Sequence, residues 1–289
     1  MSWHIDTVDA LPALTGPALG GPALGLLEAQ LPVARLAPPD GPVRVLAWHA
    51  DAAPAPDDAA RLLRTSDVAV AMLTMRETAS AFGSIEAIAS TAARLGAGHA
   101  VALLDAAAPR SGRLAIGSVG LVSPHVLFKL GLERLPVVPG LASFPCAVLA
   151  QIEIDDVSVS FASVALPSRE GPEQRAWQME ALLDRIDAYD RYLPVLIGGD
   201  MATVTLATDA ELRRPAEREP MFELLRKRGY DWRACNLALA RTGGPQGRKR
   251  LWFFTRGLVC DEPAIVPALD GAGRPMGSCD AITLRIRPG

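Results

Sequence analysis

The chain has 289 residues, 49% of them apolar, with aromatics at only 5% and a net charge of −3 from 29 basic and 32 acidic side chains. That length and apolar content suffice for one large or two small domains, with a core built mainly from Ala, Val and Leu. The charge balance lacks the basic footprint with which nucleic-acid binders neutralise phosphates, so nucleic acid is not an expected partner.

The N-terminal stretch "MSWHIDTVDA" has no basic segment followed by an apolar one, so no secretory signal is read there. Residues 1–42 form a Pro/Gly-rich arm with a tandem "GPALGGPALG", allowing at most one helical segment near Leu26 to Gln30. The arm is read as a tether, and the alternative is packing on its own domain or on a partner. Residues 43–289 are expected to form the folded domain.

From Val43 strands and helices alternate. "VRVLAWHA" (43–50) is a strand, "DDAARLLRT" (57–65) a short helix and "DVAVAML" (67–73) a second strand. "SIEAIASTAARLG" (84–96) reads as a helix capped by Ser84 and Gly96, with Ile85, Ile88 and Ala92 buried. "GRLAIGSVGLVS" (112–123) reads as two short strands, and 146–166 as a hairpin turning at Asp155-Asp156. The clearest helix is 172–191, where Met179, Leu182, Leu183 and Ile186 form an apolar stripe behind Pro172. There follow a strand "VLIGGD" (195–200), a helix (220–229) and strands at 250–258 and 280–286. Two strand-rich halves with covering helices, joined by the hairpin, suggest a two-sheet α/β sandwich.

No apolar run approaches the ~20 residues a membrane span needs. Cys146, Cys235, Cys260 and Cys279 are widely spaced without a CxxC pair, which argues against a zinc ribbon or disulfide framework and suits a reducing, cytoplasmic location. The two "RKR" runs, 226–228 and 248–250, are the candidates for a local basic patch and are read as solvated helix faces or loops. His4, His99 and His125 sit in arm, loop or turn contexts and are read as surface residues.

Particular words at the strand ends resemble the endonuclease/exonuclease/phosphatase (DNase I-like) superfamily, from about Val43 to Ile286. "VRVLAWHA" is similar to its first strand ending in Trp-Asn, and "IGGDMAT" to Gly-Asp-Phe-Asn-Thr. "RLWFFTRGL" and "GRPMGSCDAITLRI" resemble the tail of a bacterial branch, and Trp177 and Trp232 resemble core positions. The resemblance implies a four-layer α/β sandwich of two packed mixed sheets flanked by helices. It also implies a Mg²⁺-dependent phosphodiesterase or phosphatase.

Carried over by residue, most of the family's site is missing. The first-strand Asn falls on His49, the metal Glu on Leu73 and the mid-chain His on Ala165. Asp200 keeps its acid, but its Asn partner is Ala202. The orienting Asp falls on Leu251, and the terminal Asp-His on Ser278 and Cys279. Only Asp200 is retained, with Glu77 and His49 as weak additional metal candidates, so no bound cofactor is expected. The resulting expectation is a catalytically degenerate protein, a binding, scaffolding or regulatory subunit contacting a protein partner through the arm or the old cleft. Alternatives are a hydrolase using Cys279, His49 and Asp200 as a thiol triad or a zinc site, and a metal-dependent phosphoesterase. Asp200 as a backbone-capping acid at its strand end is the structural alternative.

Overall fold

The computed structural model describes residues 24–30, 41–50, 56–66, 68–75, 99–105, 118–122, 127–134, 146–166, 171–203, 206, 208–236, 249–277 and 279–289. The helix read at 84–96, Glu77, Ser278, His4, His125, residues 16–23 of the tandem repeat and residues 112–117 lie outside them. Twelve strands and four α-helices are seen among the described residues.

A seven-stranded sheet runs β1 (Leu24–Gln30), β4 (His99–Asp105), β5 (Ser118–Val122), β3 (Val70–Met75), β2 (Val43–Ala50), β12 (Ala281–Pro288) and β11 (Leu258–Val266) in spatial order. A five-stranded sheet runs β10 (Leu251–Arg256), β9 (Val195–Asp200), β8 (Val157–Ala165), β7 (Cys146–Ile154) and β6 (Leu127–Arg134). Each sheet contains one parallel pair, β2 with β3 and β8 with β9, so both are mixed. The helical segment allowed at Leu26 to Gln30 is instead strand β1, paired with β4; non-local ladder bonds outweigh the weak local propensity of "LGLLEAQ". His99 likewise opens β4 rather than sitting in a loop.

The sheets are not successive halves of the chain, because β11 and β12 return to the first sheet. The 146–166 hairpin does not join the halves either, being β7–β8 within the second sheet. Its turn residues Asp155 and Asp156 both take positive φ (49° and 61°), the conformation of a type I′ turn that short polar side chains tolerate.

Side-chain alternation along the strands builds the layers. Val45, Ala47, Val70, Met72, Val159, Phe161, Leu196, Phe253 and Leu284 share one core, filled from both sheets and therefore lying between them. Val195, Ile197, Trp252 and Phe254 point the other way, packing on α2 (Pro172–Asp190) and α4 (Met221–Lys227). The stripe Met179, Leu182, Leu183 and Ile186 is fully used in that layer. Leu46, Trp48, Ala71 and Leu73, on the far face of the first sheet, are also buried, as are Ala59, Ala60, Leu62 and Leu63 of α1 (Pro56–Thr65). A short α3 (Asp209–Arg213) starts with a capping box between Thr208 and Glu211. Trp232 is buried as expected, but Trp177 is 45% exposed, on the solvent side of α2. No helix among the described residues is long and apolar enough to cross a membrane.

Candidate functional site

β9 is buried at all six positions and delivers Asp200 at its end, on the face that meets the other sheet. Two glycines make this possible. A Cβ on Gly198 would lie 2.5 Å from Met72 Sδ and 2.8 Å from Phe253, so only a bare backbone fits between the sheets there. Gly199 has φ +131°, and a Cβ on it would sit 2.1 Å from the Val164 carbonyl oxygen. Gly199→Ala therefore combines backbone strain with a clash against an interior strand. It is expected to cost several kcal/mol, seen in chemical denaturation as a large fall in the midpoint or as failure to accumulate folded protein.

Asp200 is 2% exposed and engaged on both oxygens. His49 Nδ1, from the end of β2, lies 2.9 Å from Oδ2. Arg250, just before β10, approaches with its fork, Nη2 to Oδ2 at 2.5 Å and Nε to Oδ1 at 3.3 Å. The Ala202 N–H donates to Oδ1 at 2.8 Å. Burial raises the Asp200 carboxyl, but the hydrogen bond and charge of His49, together with those of Arg250, outweigh it and hold the group below the usual carboxylate range. The capping role read for Asp200 is thus present, and a buried ion-pair cluster is added to it.

The residues after Asp200 are core and scaffold. Met201, Ala202 and Thr203 are completely buried. The Thr203 hydroxyl donates to the Lys249 carbonyl and accepts from the Trp252 indole N–H at 2.9 Å. Ala202 adopts φ +50°, a left-handed conformation that Asn tolerates far better than Ala.

The structure gathers some of the sequence candidates and separates others. Ala165 is the lateral partner of Asp200 on β8, half-buried against the inter-sheet core. Leu251 is its partner on β10 and is fully buried. Leu73 is in register with Trp48, one residue from the position beside His49, and so lies on the opposite face from His49; Thr74 is in register with His49. Cys279 is buried and in no disulfide, just before β12, which pairs with β2.

Arg250 was missed. The second "RKR" run is not a solvated one: Lys249 is 1% exposed with its Nζ 4.6 Å from the Trp252 ring centroid, and burial pulls its pKa down to about 7. The usable signal was position: Arg250 immediately precedes the buried run "LWFF", so its side chain starts at the sheet's end beside Asp200. In the first run, Arg226 and Lys227 are exposed as expected, while Arg228 pairs with Asp184 and Asp187 of α2.

The described residues do not suit Mg²⁺, which binds through one or two carboxylates whose oxygens are free to face it, together with water or phosphate. The one retained carboxylate already carries a guanidinium, an imidazole and a backbone N–H. Among the described residues no three His, Cys, Asp or Glu side chains cluster so as to hold a metal ion.

No family model and no curated protein matches the sequence. Solved structures do match. An endonuclease/exonuclease/phosphatase from Beutenbergia cavernae superposes with TM-score 0.64 at 17% identity, covering 86% of this chain and 72% of the other. The human Nocturnin catalytic domain with bound sulfate gives 0.62 at 12% identity, covering 86% and 94%. A humanised D. rerio TDP2 gives 0.60 at 14% identity, covering 85% and 99%. The chain has the DNase I-like fold of the endonuclease/exonuclease/phosphatase superfamily, an α/β sandwich.

Proposed function

We propose that this domain is a catalytically silent variant of the fold that acts as a binding, scaffolding or regulatory subunit for a protein partner. The observation that carries this reading is Asp200, whose oxygens are spent on His49, Arg250 and the Ala202 N–H. In a Mg²⁺ phosphoesterase that carboxylate must face a cation and a phosphate; here Arg250 takes the cation's place. The left-handed backbone at Ala202, without an Asn side chain to use it, supports the same conclusion, and Leu251 puts an apolar side chain beside the acid.

The test is an assay of the full chain against p-nitrophenyl phosphate, its bis-aryl diester and a DNA oligonucleotide, with Mg²⁺ or Mn²⁺. No rate above buffer is expected, and Asp200→Asn should change nothing. Turnover that Asp200→Asn abolishes would overturn the reading.

A thiol hydrolase is the second reading, favoured by the His49–Asp200 contact, which matches the orienting half of a Cys-His-Asp triad. Aryl acyl esters added to the same panel address it. Hydrolysis lost in Cys279→Ser would favour it over the silent domain.

A further inference from the structure

Cys235 and Cys260 meet across the gap between the two sheets. Cys235 lies in the turn after α4, a segment tied to the five-stranded sheet. The Asp231 and Thr255 backbones exchange hydrogen bonds at 2.8 and 2.9 Å. The neighbouring Asn236 side chain donates to the Phe253 carbonyl at 2.8 Å and accepts from the Phe253 N–H at 3.0 Å. Cys260 belongs to β11, the edge strand of the other sheet, where it faces Ile286 of β12. The two sulfurs are 3.5 Å apart, with the Thr255 hydroxyl 3.0 Å from Cys235 Sγ and 3.4 Å from Cys260 Sγ.

We propose that Cys235 and Cys260 are a peroxide-responsive dithiol whose oxidised form is a disulfide stapling one sheet to the other. Closing from 3.5 Å to a bonded separation of about 2.05 Å requires roughly 1.5 Å of movement, within reach of side-chain rotation and a small shift of the edge strand. The two thiols differ in the way the chemistry needs. Cys235 is 1% exposed, whereas Cys260 is half-buried. The hydrogen bond from the Cys235 thiol holds Cys260 below its ordinary value, and that same contact, with burial, pushes Cys235 up. Cys260 is thus the thiol that gives up its proton more readily and that an oxidant reaches first, and Cys235 the partner that resolves it.

The step balances with hydrogen peroxide as oxidant. The Cys260 thiolate attacks one peroxide oxygen, the O–O bond breaks, and the departing hydroxide takes a proton to leave as water. Cys260 is then a sulfenic acid. The Cys235 sulfur, losing its proton, attacks Cys260 Sγ and expels the hydroxyl as a second water. Two thiols and one peroxide give one disulfide and two waters, and the thiols supply both electrons.

The experiment uses the full chain, reduced, desalted and treated with a few equivalents of hydrogen peroxide, then denatured and alkylated. Expected are a loss of two titratable thiols per chain and a Cys235–Cys260-linked peptide that dithiothreitol releases. Cys146 and Cys279 should be recovered alkylated. Cys260→Ser, a small change at a half-buried site, should abolish the linked peptide while leaving the circular-dichroism spectrum unchanged; if that variant does not fold, the peptide map of the wild-type chain decides alone. Accumulation of Cys260 sulfinic acid with Cys235 still a free thiol would overturn the proposal. So would recovery of both as free thiols after excess peroxide.

Discussion

Asp200→Ala is expected to lower stability by about 3–5 kcal/mol, the usual cost of removing one member of a buried ion pair, and Tm by roughly 10 °C. It leaves Arg250, only 16% exposed at its side chain, and His49, at 7%, facing each other without the carboxylate that reconciles them. Asp200→Asn keeps the shape and an acceptor for the Ala202 N–H, and should lose about half as much. Adding Arg250→Ala to Asp200→Ala should recover part of the loss, the coupling expected of contacting residues.

A carboxylate retained for catalysis behaves in the opposite way, since neutralising it often stabilises the protein. A neutral or stabilising Asp200→Ala would therefore sink the structural role assigned to this acid. The pH dependence follows with a definite sign. The folded carboxyl is depressed below its ordinary value of 3.8, so its contribution is complete above the unfolded value of about 3.9 and is lost as pH falls through the folded one. Wild type should lose stability below about pH 4 more steeply than Asp200→Asn, as followed by urea denaturation at each pH.

The second large effect lies away from the site. Arg175 on α2 and Glu219 before α4 form a forked pair, Nη2 to Oε1 at 2.6 Å and Nε to Oε2 at 3.1 Å, with side chains 1% and 0% exposed. Glu219→Ala takes this carboxylate away from a guanidinium in the helix–sheet core, and a loss of about 3–5 kcal/mol is expected. Glu219→Gln should cost less. The double change Arg175→Met with Glu219→Leu should come within about 1–2 kcal/mol of wild type, because apolar groups of similar volume replace such pairs well. Denaturant midpoints of the three variants check this; equal losses in the single and double variants would show that the pair's charge is not the controlling feature.

The fold was readable wherever a strand was buried on both faces or a helix carried a full stripe. β9, β10, the β7–β8 hairpin and α2 are of that kind. It was not readable at "HAVALLD", whose Ala-rich run carries no clear period, nor at "LFKLGLER", which Lys129 and Gly131 interrupt. β11 contains Pro263, which argues against a strand; it is accommodated because β11 is an edge strand with a register shift between Asp261 and Ala264. In the site, Asp200 and His49 were found from strand-end words, but the register of β3 was not. A one-residue step is invisible in an apolar run, and it moves a side chain to the other face, as it does for Leu73. Arg250 escaped because a charge run carries no record of which member turns inward. The same holds for Arg175, which lies four residues before Met179 on the apolar stripe, where its position marked burial and its charge argued against it.

The place of β12 bears on how the molecule is made. This strand is inserted between β2 and β11, yet its residues follow those of β2 by more than two hundred positions. At translation rates of 5–20 residues per second, β2 waits roughly 10–50 s for that neighbour to emerge. During that interval one edge of β2, with its Val43, Val45 and Leu46, has unsatisfied ladder groups in a nascent chain. The five-stranded sheet has no such gap, because its strands β6 to β10 are consecutive in sequence and adjacent in space. Synthesis thus lets the five-stranded sheet grow strand by strand as each neighbour emerges, while the edge of β2 stays open to chaperones, or to mispairing with other chains, until β12 arrives.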